Sequence, residues 1–237
     1  MRVPAGWAPR SPYNRHPLGP ALLLGLAAGL ALLLALFLLD AIEYTYRRIG
    51  IGEGPLFGLV LASLVGGLVN VPVARVRSEA RVSIREVSVY GIRYRVPVVR
   101  PGGVTVLAVN LGGAAIPTAV SVLLLVRGHI WWQAAVAVTF VALLVHLIAR
   151  PVPGLGIAVP GLVPPLLAAC AALVLAPHAS AAVAYVSGTL GTLVGADLLN
   201  LPRLRELGAG VVSIGGAGTF DGVFLSGIVA VLLVGLR

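Results

Sequence analysis

Residues 130–149 read IWWQAAVAVTFVALLVHLIA, an apolar run without Asp, Glu, Lys or Arg. At 1.5 Å of rise per helical residue it is about 30 Å long, the thickness of a bilayer's hydrocarbon core. Residues 21–39, ALLLGLAAGLALLLALFLL, form a second run of this kind. Over all 237 residues 59% are hydrophobic and only 11% charged, more apolar surface than a soluble fold can cover. The chain reads as an all-α integral membrane bundle of about seven spans with broken helices. The spans are expected near 19–39, 55–73, 103–126, 130–149, 157–176, 181–200 and 212–236. Arg2, Arg10 and Arg15 precede the first run as they would in a signal peptide, but the run is too long and 40–48 offers no small-residue cleavage site, so it reads as a retained helix. Trp7, Tyr13, Tyr44, Tyr46, Trp131 and Trp132 fall near span ends, where amphipathic rings anchor at the interface.

All 17 basic residues are Arg, and the formal charge is +9. Their positions argue for topology and against nucleic-acid binding. A cytoplasmic N-terminus puts Arg2, Arg10, Arg15, Arg75, Arg77, Arg81, Arg85, Arg93, Arg95, Arg100, Arg150, Arg203 and Arg205 inside, and only Arg47, Arg48, Arg127 and Arg237 outside. This is the positive-inside bias, and with an odd number of spans it leaves the C-terminus external. The expected organisation is a cytoplasmic tail over 1–18, the first two spans over 19–73, an arginine-rich cytoplasmic segment over 74–101, and a five-span membrane domain over 102–237. Within the arginine-rich segment Val82, Ile84, Val87, Val89, Ile92, Tyr94, Val96 and Val98 approximate a period of two about Tyr90-Gly91. That pattern predicts a small β-hairpin between the second and third spans, with a bulge near Glu86 and Val87. Its arginines are expected to face anionic lipid headgroups. A cell-membrane location is expected, and a homo-oligomer is compatible with the sequence.

Gly and Pro stand where a plain span would carry Leu. Gly66-Gly67 accompanies Asn70 and Pro72, and Asn110 accompanies Gly112-Gly113 and Pro117. Further along come Pro151, Pro153, Pro160, Pro164 and Pro165, then Gly215, Gly216 and Gly218. Broken helices survive in a bilayer only inside protein or against a watery cavity, because every freed backbone group needs a partner. Close packing through small residues accounts for Gly188 and Gly191 but less well for Asn-Gly-Gly or a double Pro.

Of the eight acidic residues only Asp197 and Asp221 fall within expected spans. A charge at the bilayer centre costs about 2.5–3.5 kcal/mol, so both are candidate catalytic or coupling groups. The last span allows two registers. A helix entered near Val212 staggers the carboxylates, as a conduction path would, whereas one starting near Ala217 matches their depths, as an aspartyl dyad would. Asn70, Asn110, Asn200, Ser213 and Thr219 are candidate polar lining, with Gly112, Gly113, Gly215, Gly216, Gly218, Pro160 and Pro164 as backbone breaks. No pair of His, Cys or Glu stands at ligand spacing, so neither a metal nor a cofactor is expected. Cys170, the single cysteine, sits among Ala168, Ala169 and Ala171 and reads as a small packing residue.

The segments SIGGAGTFDG over 213–222 and GADLLN over 195–200, with NLGGA over 110–114, resemble an uncharacterised family of prokaryotic multi-pass membrane proteins classed as a domain of unknown function. The resemblance covers the chain from about residue 55 onward and implies a multi-pass membrane fold. Phe220-Asp221, Gly195-Ala196-Asp197 and 159–165 also echo the presenilin and signal-peptide-peptidase class of intramembrane aspartyl proteases. Their chain order is permuted, Ala196 replaces a motif glycine, and a Pro-Ala-Leu element is absent.

Three functions are compatible with these residues. A small transporter or channel-like protein would use Asp197 and Asp221 for ion or proton coupling. An intramembrane aspartyl hydrolase would use the same two as a dyad. A structural or lipid-binding membrane protein would act through the arginine-rich segment.

Overall fold

The computed structural model describes residues 29–30, 33, 39–51, 53–89, 92–152, 156–203, 211–216 and 222–235, with the backbone alone over 53–57, 60, 77–103 and 151–156. The chain divides into two units, Met1–Asp40 and Ala41–Arg237. The described residues of the first unit are helical, and the expected first span lies mostly outside them.

The second unit opens with a helical segment over 41–48. In chain order it continues with α1 (Glu53–Gly66), β1 (Asn70–Val89), β2 (Ile92–Asn110), a π-helical turn (Leu111–Ala115), α2 (Ile116–Gly128) and α3 (Trp131–Ile148). Next come β3 (Arg150–Val152), β4 (Gly156–Ala158), α4 (Val163–Leu175) and α5 (Ser180–Thr192). A second π-turn (Leu193–Asp197), a 3-10 turn (Leu198–Arg203), β5 (Val211–Ile214) and α6 (Gly222–Gly235) complete it.

Three helical stretches are long and apolar enough to cross a membrane: Leu111–Gly128, Trp131–Ile148 and Ser180–Arg203, of 18, 18 and 24 residues. They give the protein a membrane location. Val163–Leu175 and Gly222–Gly235 are apolar but shorter.

Several expected spans are divided. Helix α1 ends at Gly66, and the stretch expected to continue it to residue 73 turns at Gly67 and enters β1. Residues 103–110 belong to β2, and 156–158 pair with 150–152 before α4 begins. Residues 211–214 form β5, so the last helix does not begin near Val212 as the earlier of the two expected registers has it; α6 is described from Gly222. Hydropathy measures apolarity and cannot tell a helix from a paired strand when the run is short and β-branched.

The hairpin is present and longer than expected, with Val89 paired to Ile92 at the turn and Asn70 paired to Asn110 at the base. No bulge occurs at Glu86 and Val87, which pair in unbroken register with Arg95 and Tyr94. The register shift falls instead between Pro72 and Ala74. Proline has no N–H to give a ladder, which makes it the favoured place for one. At its base the hairpin gains a third strand, β5, parallel to β2 in the order β1-β2-β5.

Helix α5 is the centre of the bundle. Val183 through Thr189 are buried without interruption. Glycines let its neighbours approach: a Cβ on Gly188 would sit 2.7 Å from the Ser226 carbonyl oxygen of α6, and one on Gly191 2.7 Å from the Val141 side chain of α3. Tyr46, expected as an interfacial anchor, is fully buried against Tyr185 of α5, with ring centroids 6.1 Å apart. Trp131 and Trp132 are exposed at the start of α3 as an anchor requires. Cys170 is exposed on α4 instead of packed, and Ala168, Ala169, Ala171 and Ala172 fill that interface. A methyl at position 188 meets backbone that cannot turn aside, so Gly188→Ala is expected to cost about 1–3 kcal/mol, as overpacking does. The control Gly161→Ala adds a methyl to open space and should leave thermal unfolding in detergent unchanged.

Candidate functional site

Three interruptions of regular structure meet at one end of α5. The first is the corner from β2 into α2. Asn110 ends β2, is fully buried, and turns the chain into the π-turn. Its Oδ1 accepts from the Gly113 N–H at 2.7 Å, and its Nδ2 donates to the Gly67 carbonyl at 2.8 Å and to Asn70 Oδ1 at 3.1 Å. One amide therefore satisfies the freed groups of two glycine turns at once. Gly112 has to be glycine here, because a Cβ would collide with the Ser63 carbonyl oxygen and the Gly67 backbone.

The second interruption follows β5. Ser213 Oγ donates to Asn70 Oδ1 at 2.5 Å. The chain then reverses through Gly215 and Gly216 at φ +80° and +82°, a conformation that favours glycine. Gly215 lies flat on the first π-turn, where a Cβ would stand 2.5 Å from the Ala114 Cβ.

The third is the π-turn that ends α5. A π-turn leaves carbonyls without their ordinary helical donors. Asn200 supplies them: its Nδ2 donates to the carbonyls of Gly195 and Ala196, each at 2.9 Å. Asp197 closes this turn, half-buried, and its Oδ2 accepts from the Gly215 N–H at 2.7 Å. Ala114, Leu193 and Val223 pack as a small cluster beneath, tying both π-turns to the first turn of α6.

Most residues singled out in the sequence thus converge: Asn70, Asn110, Gly112, Gly113, Ser213, Gly215, Gly216 and Asp197 share one connected set of contacts. Asn200 acts as an internal cap of the second π-turn. Pro160 and Pro164 stand where the expected span over 157–176 divides and α4 opens, the Pro160 carbonyl accepting from the Val163 N–H at 3.0 Å and Pro164 standing in the first turn, where no N–H is needed. Gly218, Thr219 and Asp221 lie outside the described residues. Among the described residues no group of three His, Cys, Asp or Glu is placed to hold a metal ion. Sequence reasoning missed β5, whose four residues Val-Val-Ser-Ile ahead of Gly-Gly carry the β-branched signal of a short strand.

A family model described as "Protein of unknown function (DUF1614)" matches residues 64–233, a range that holds the whole cluster. No curated protein and no solved structure matches the chain.

Removing the Asn110 amide orphans a buried N–H, a buried carbonyl and one bond of Asn70. Asn110→Ala is therefore expected to lower stability by about 2–4 kcal/mol, at roughly 1–3 kcal/mol per unsatisfied group reduced by partners found in the unfolded state. Gly215→Ala adds backbone strain to a steric clash and should cost at least about 2 kcal/mol. Thermal unfolding of purified variants in detergent checks both.

Proposed function

We propose that this chain, which belongs to the DUF1614 family, is a multi-pass membrane protein that moves an ion or proton through its bundle, with Asp197 as the coupling group. One observation carries the reading. Asp197 sits inside a helical stretch long and apolar enough to span, 17 residues from its start at Ser180 and six from its end at Arg203. At roughly 1.5 Å per residue these are about 25 Å and 9 Å from the two ends of the stretch, which supports a carboxylate within the hydrocarbon layer. A charge kept there costs about 2.5–3.5 kcal/mol and is retained where it serves a function. The setting supports the same reading, since interrupted helices that converge on a polar group are how many transporters build their sites.

Asp221 precedes the first described residue of α6 and is the second coupling candidate. The packing of Val223 against Leu193 favours a second reading, because it brings the start of α6 beside the π-turn that ends in Asp197. An intramembrane aspartyl hydrolase would need Asp197 and Asp221 to share a proton across that junction. We place the protein in a prokaryotic cell membrane with its N-terminus inside, on the sorting of its arginines. The hairpin then lies on the cytoplasmic surface. Register puts Arg75, Arg77, Arg81 and Arg85 at alternate positions of β1 and pairs Arg81 directly with Arg100. Like charges in a direct cross-strand pair repel, and anionic headgroups relieve that repulsion.

Full-length protein in liposomes is expected to carry protons or a monovalent cation, and Asp197→Asn to reduce that flux to the protein-free level. Unchanged flux in the variant would remove Asp197 from the mechanism. Cleavage of a helical membrane substrate that is lost in both Asp197→Asn and Asp221→Asn would replace transport with hydrolysis. Neutralising Arg75, Arg77, Arg81, Arg85 and Arg100 together should weaken binding to vesicles containing phosphatidylserine by about 1 kcal/mol per charge, leaving binding to neutral vesicles as it was.

A further inference from the structure

Five hydroxyls lie buried where a membrane bundle would ordinarily carry hydrocarbon. Tyr46, Ser63 of α1, and Tyr185, Thr189 and Thr192 of α5 are each at most 4% exposed, and none of their oxygens completes a well-formed hydrogen bond. Other buried hydroxyls behave differently. Thr45, Ser121, Ser187 and Ser226 each donate to the carbonyl four residues back, which satisfies them locally and withdraws them from any path.

Tyr185, Thr189 and Thr192 line one face of α5, and Tyr46 and Ser63 adjoin that line at Tyr185. The Tyr46 hydroxyl is within interaction range of the hydroxyls of Ser63 and Tyr185, and the Tyr185 hydroxyl of that of Thr189. Thr189 and Thr192 follow Tyr185 at i+4 and i+7, on one face of α5. Gly227 of α6 covers this face with bare backbone, since a Cβ there would strike Thr189 Oγ1 and approach the Tyr185 ring. Beyond Thr192 the helix enters the π-turn that ends in Asp197, where Asn200 Oδ1 is also buried without a partner. From Tyr185 to Asp197 is 12 residues, about 18 Å along the axis. At the opposite end two cavities approach the line. One of about 490 Å³ is bordered by Arg48, His178 and Ser180, and one of about 250 Å³ by Gly50 and Arg127. Both reach Ala182, one turn before Tyr185.

We propose that Tyr46, Tyr185, Thr189 and Thr192, with Ser63 beside Tyr46, form a proton path through the bundle that ends on Asp197, and that the ion moved is the proton, an inference that rests on the transport reading above. Each hydroxyl holds one proton to give and lone pairs to receive another. At every step one O–H bond forms as another on the same oxygen breaks, so no hydroxyl is left charged. Bridging water links hydroxyls too far apart to bond directly. The Asp197 carboxylate takes the last proton, becomes a neutral carboxyl, and returns it to water at the far side. A metal cation would need several oxygens converging at each stopping point, whereas this line offers one or two.

The full chain in liposomes with an internal pH dye and a potassium diffusion potential tests the path. Wild type is expected to acidify the lumen. Tyr185→Phe and Thr189→Val, which keep shape and remove one hydroxyl each, are expected to slow acidification at least about tenfold, as breaking one link of a hydrogen-bonded chain should. Thr189→Ser restores the hydroxyl and should restore the flux, with wild-type elution and melting throughout. Proton flux unchanged in both Tyr185→Phe and Thr189→Val but lost in Asp197→Asn would overturn the path and leave transport standing. Flux of sodium or potassium without protons would do the same. Proton flux lost in Tyr185→Phe but kept in Asp197→Asn would overturn the path's end point, and no flux of any ion would sink path and transport together.

Discussion

The amide of Asn110 fixes the geometry on which the candidate site depends. Leaving a strand for a helix frees backbone groups, and beside a hydrocarbon layer those groups have no water to turn to. Asn110 takes one N–H from Gly113, gives one hydrogen to the Gly67 carbonyl and another to Asn70. Its three bonds lock the turn after α1, the base of the hairpin and the start of α2 into a single corner. The corner can be this tight only because Gly112 lacks a side chain where it meets the carbonyl of Ser63. Gly215 then lies on that corner and directs its N–H at Asp197. The position of the carboxylate is thus inherited, through one turn, from an asparagine on a different element.

Helix α5 is held by the opposite device, the absence of side chains. Gly188, Gly191 and Gly195 bring α6 and α3 to within contact of its backbone. Association inside a bilayer gains little from the hydrophobic effect, so this closeness is where dispersion and weak polar contacts must come from. The same closeness excludes bulky apolar groups around Tyr185 and Thr189, and it keeps their hydroxyls among protein atoms instead of lipid. Packing and polarity are therefore linked on this helix: small residues that tighten the bundle also enclose its unpartnered oxygens.

Composition and periodicity carried some parts of the structure plainly and concealed others. The apolar run over 131–148 is one helix from end to end, and the alternating segments before Tyr90 and after Gly91 pair as antiparallel strands. The association of Asn with Gly-Gly also proved informative, because Asn110, Gly112, Gly113, Ser213, Gly215 and Asp197 do come together. Span boundaries were not legible where a strand runs into a helix, since Val-rich segments such as 104–109 are equally apolar in either state. The parallel pairing of β5 with β2 joins residues about a hundred positions apart, and no local pattern encodes such a partner. Tyr46 was misleading for a related reason. A tyrosine near a span end has the same sequence signature whether its ring lies in the headgroups or against Tyr185.

A carboxylate that merely braces a fold is held by several donors. Asp197 differs, since among the described residues it accepts one hydrogen bond, from a backbone N–H that itself sits in a glycine turn. The π-turn explains why it is held by so few partners. In a regular helix the carbonyls around it would be engaged along the axis, but here Asn200 engages those of Gly195 and Ala196 instead. The helix can leave its regular course after Thr192 with the carbonyls of Gly195 and Ala196 satisfied, and the Asp197 side chain is not needed to repair the break. A group left half-buried with a single neutral donor can exchange that partner for a proton or a cation with little rearrangement. A group bound by two or three donors would first have to break them.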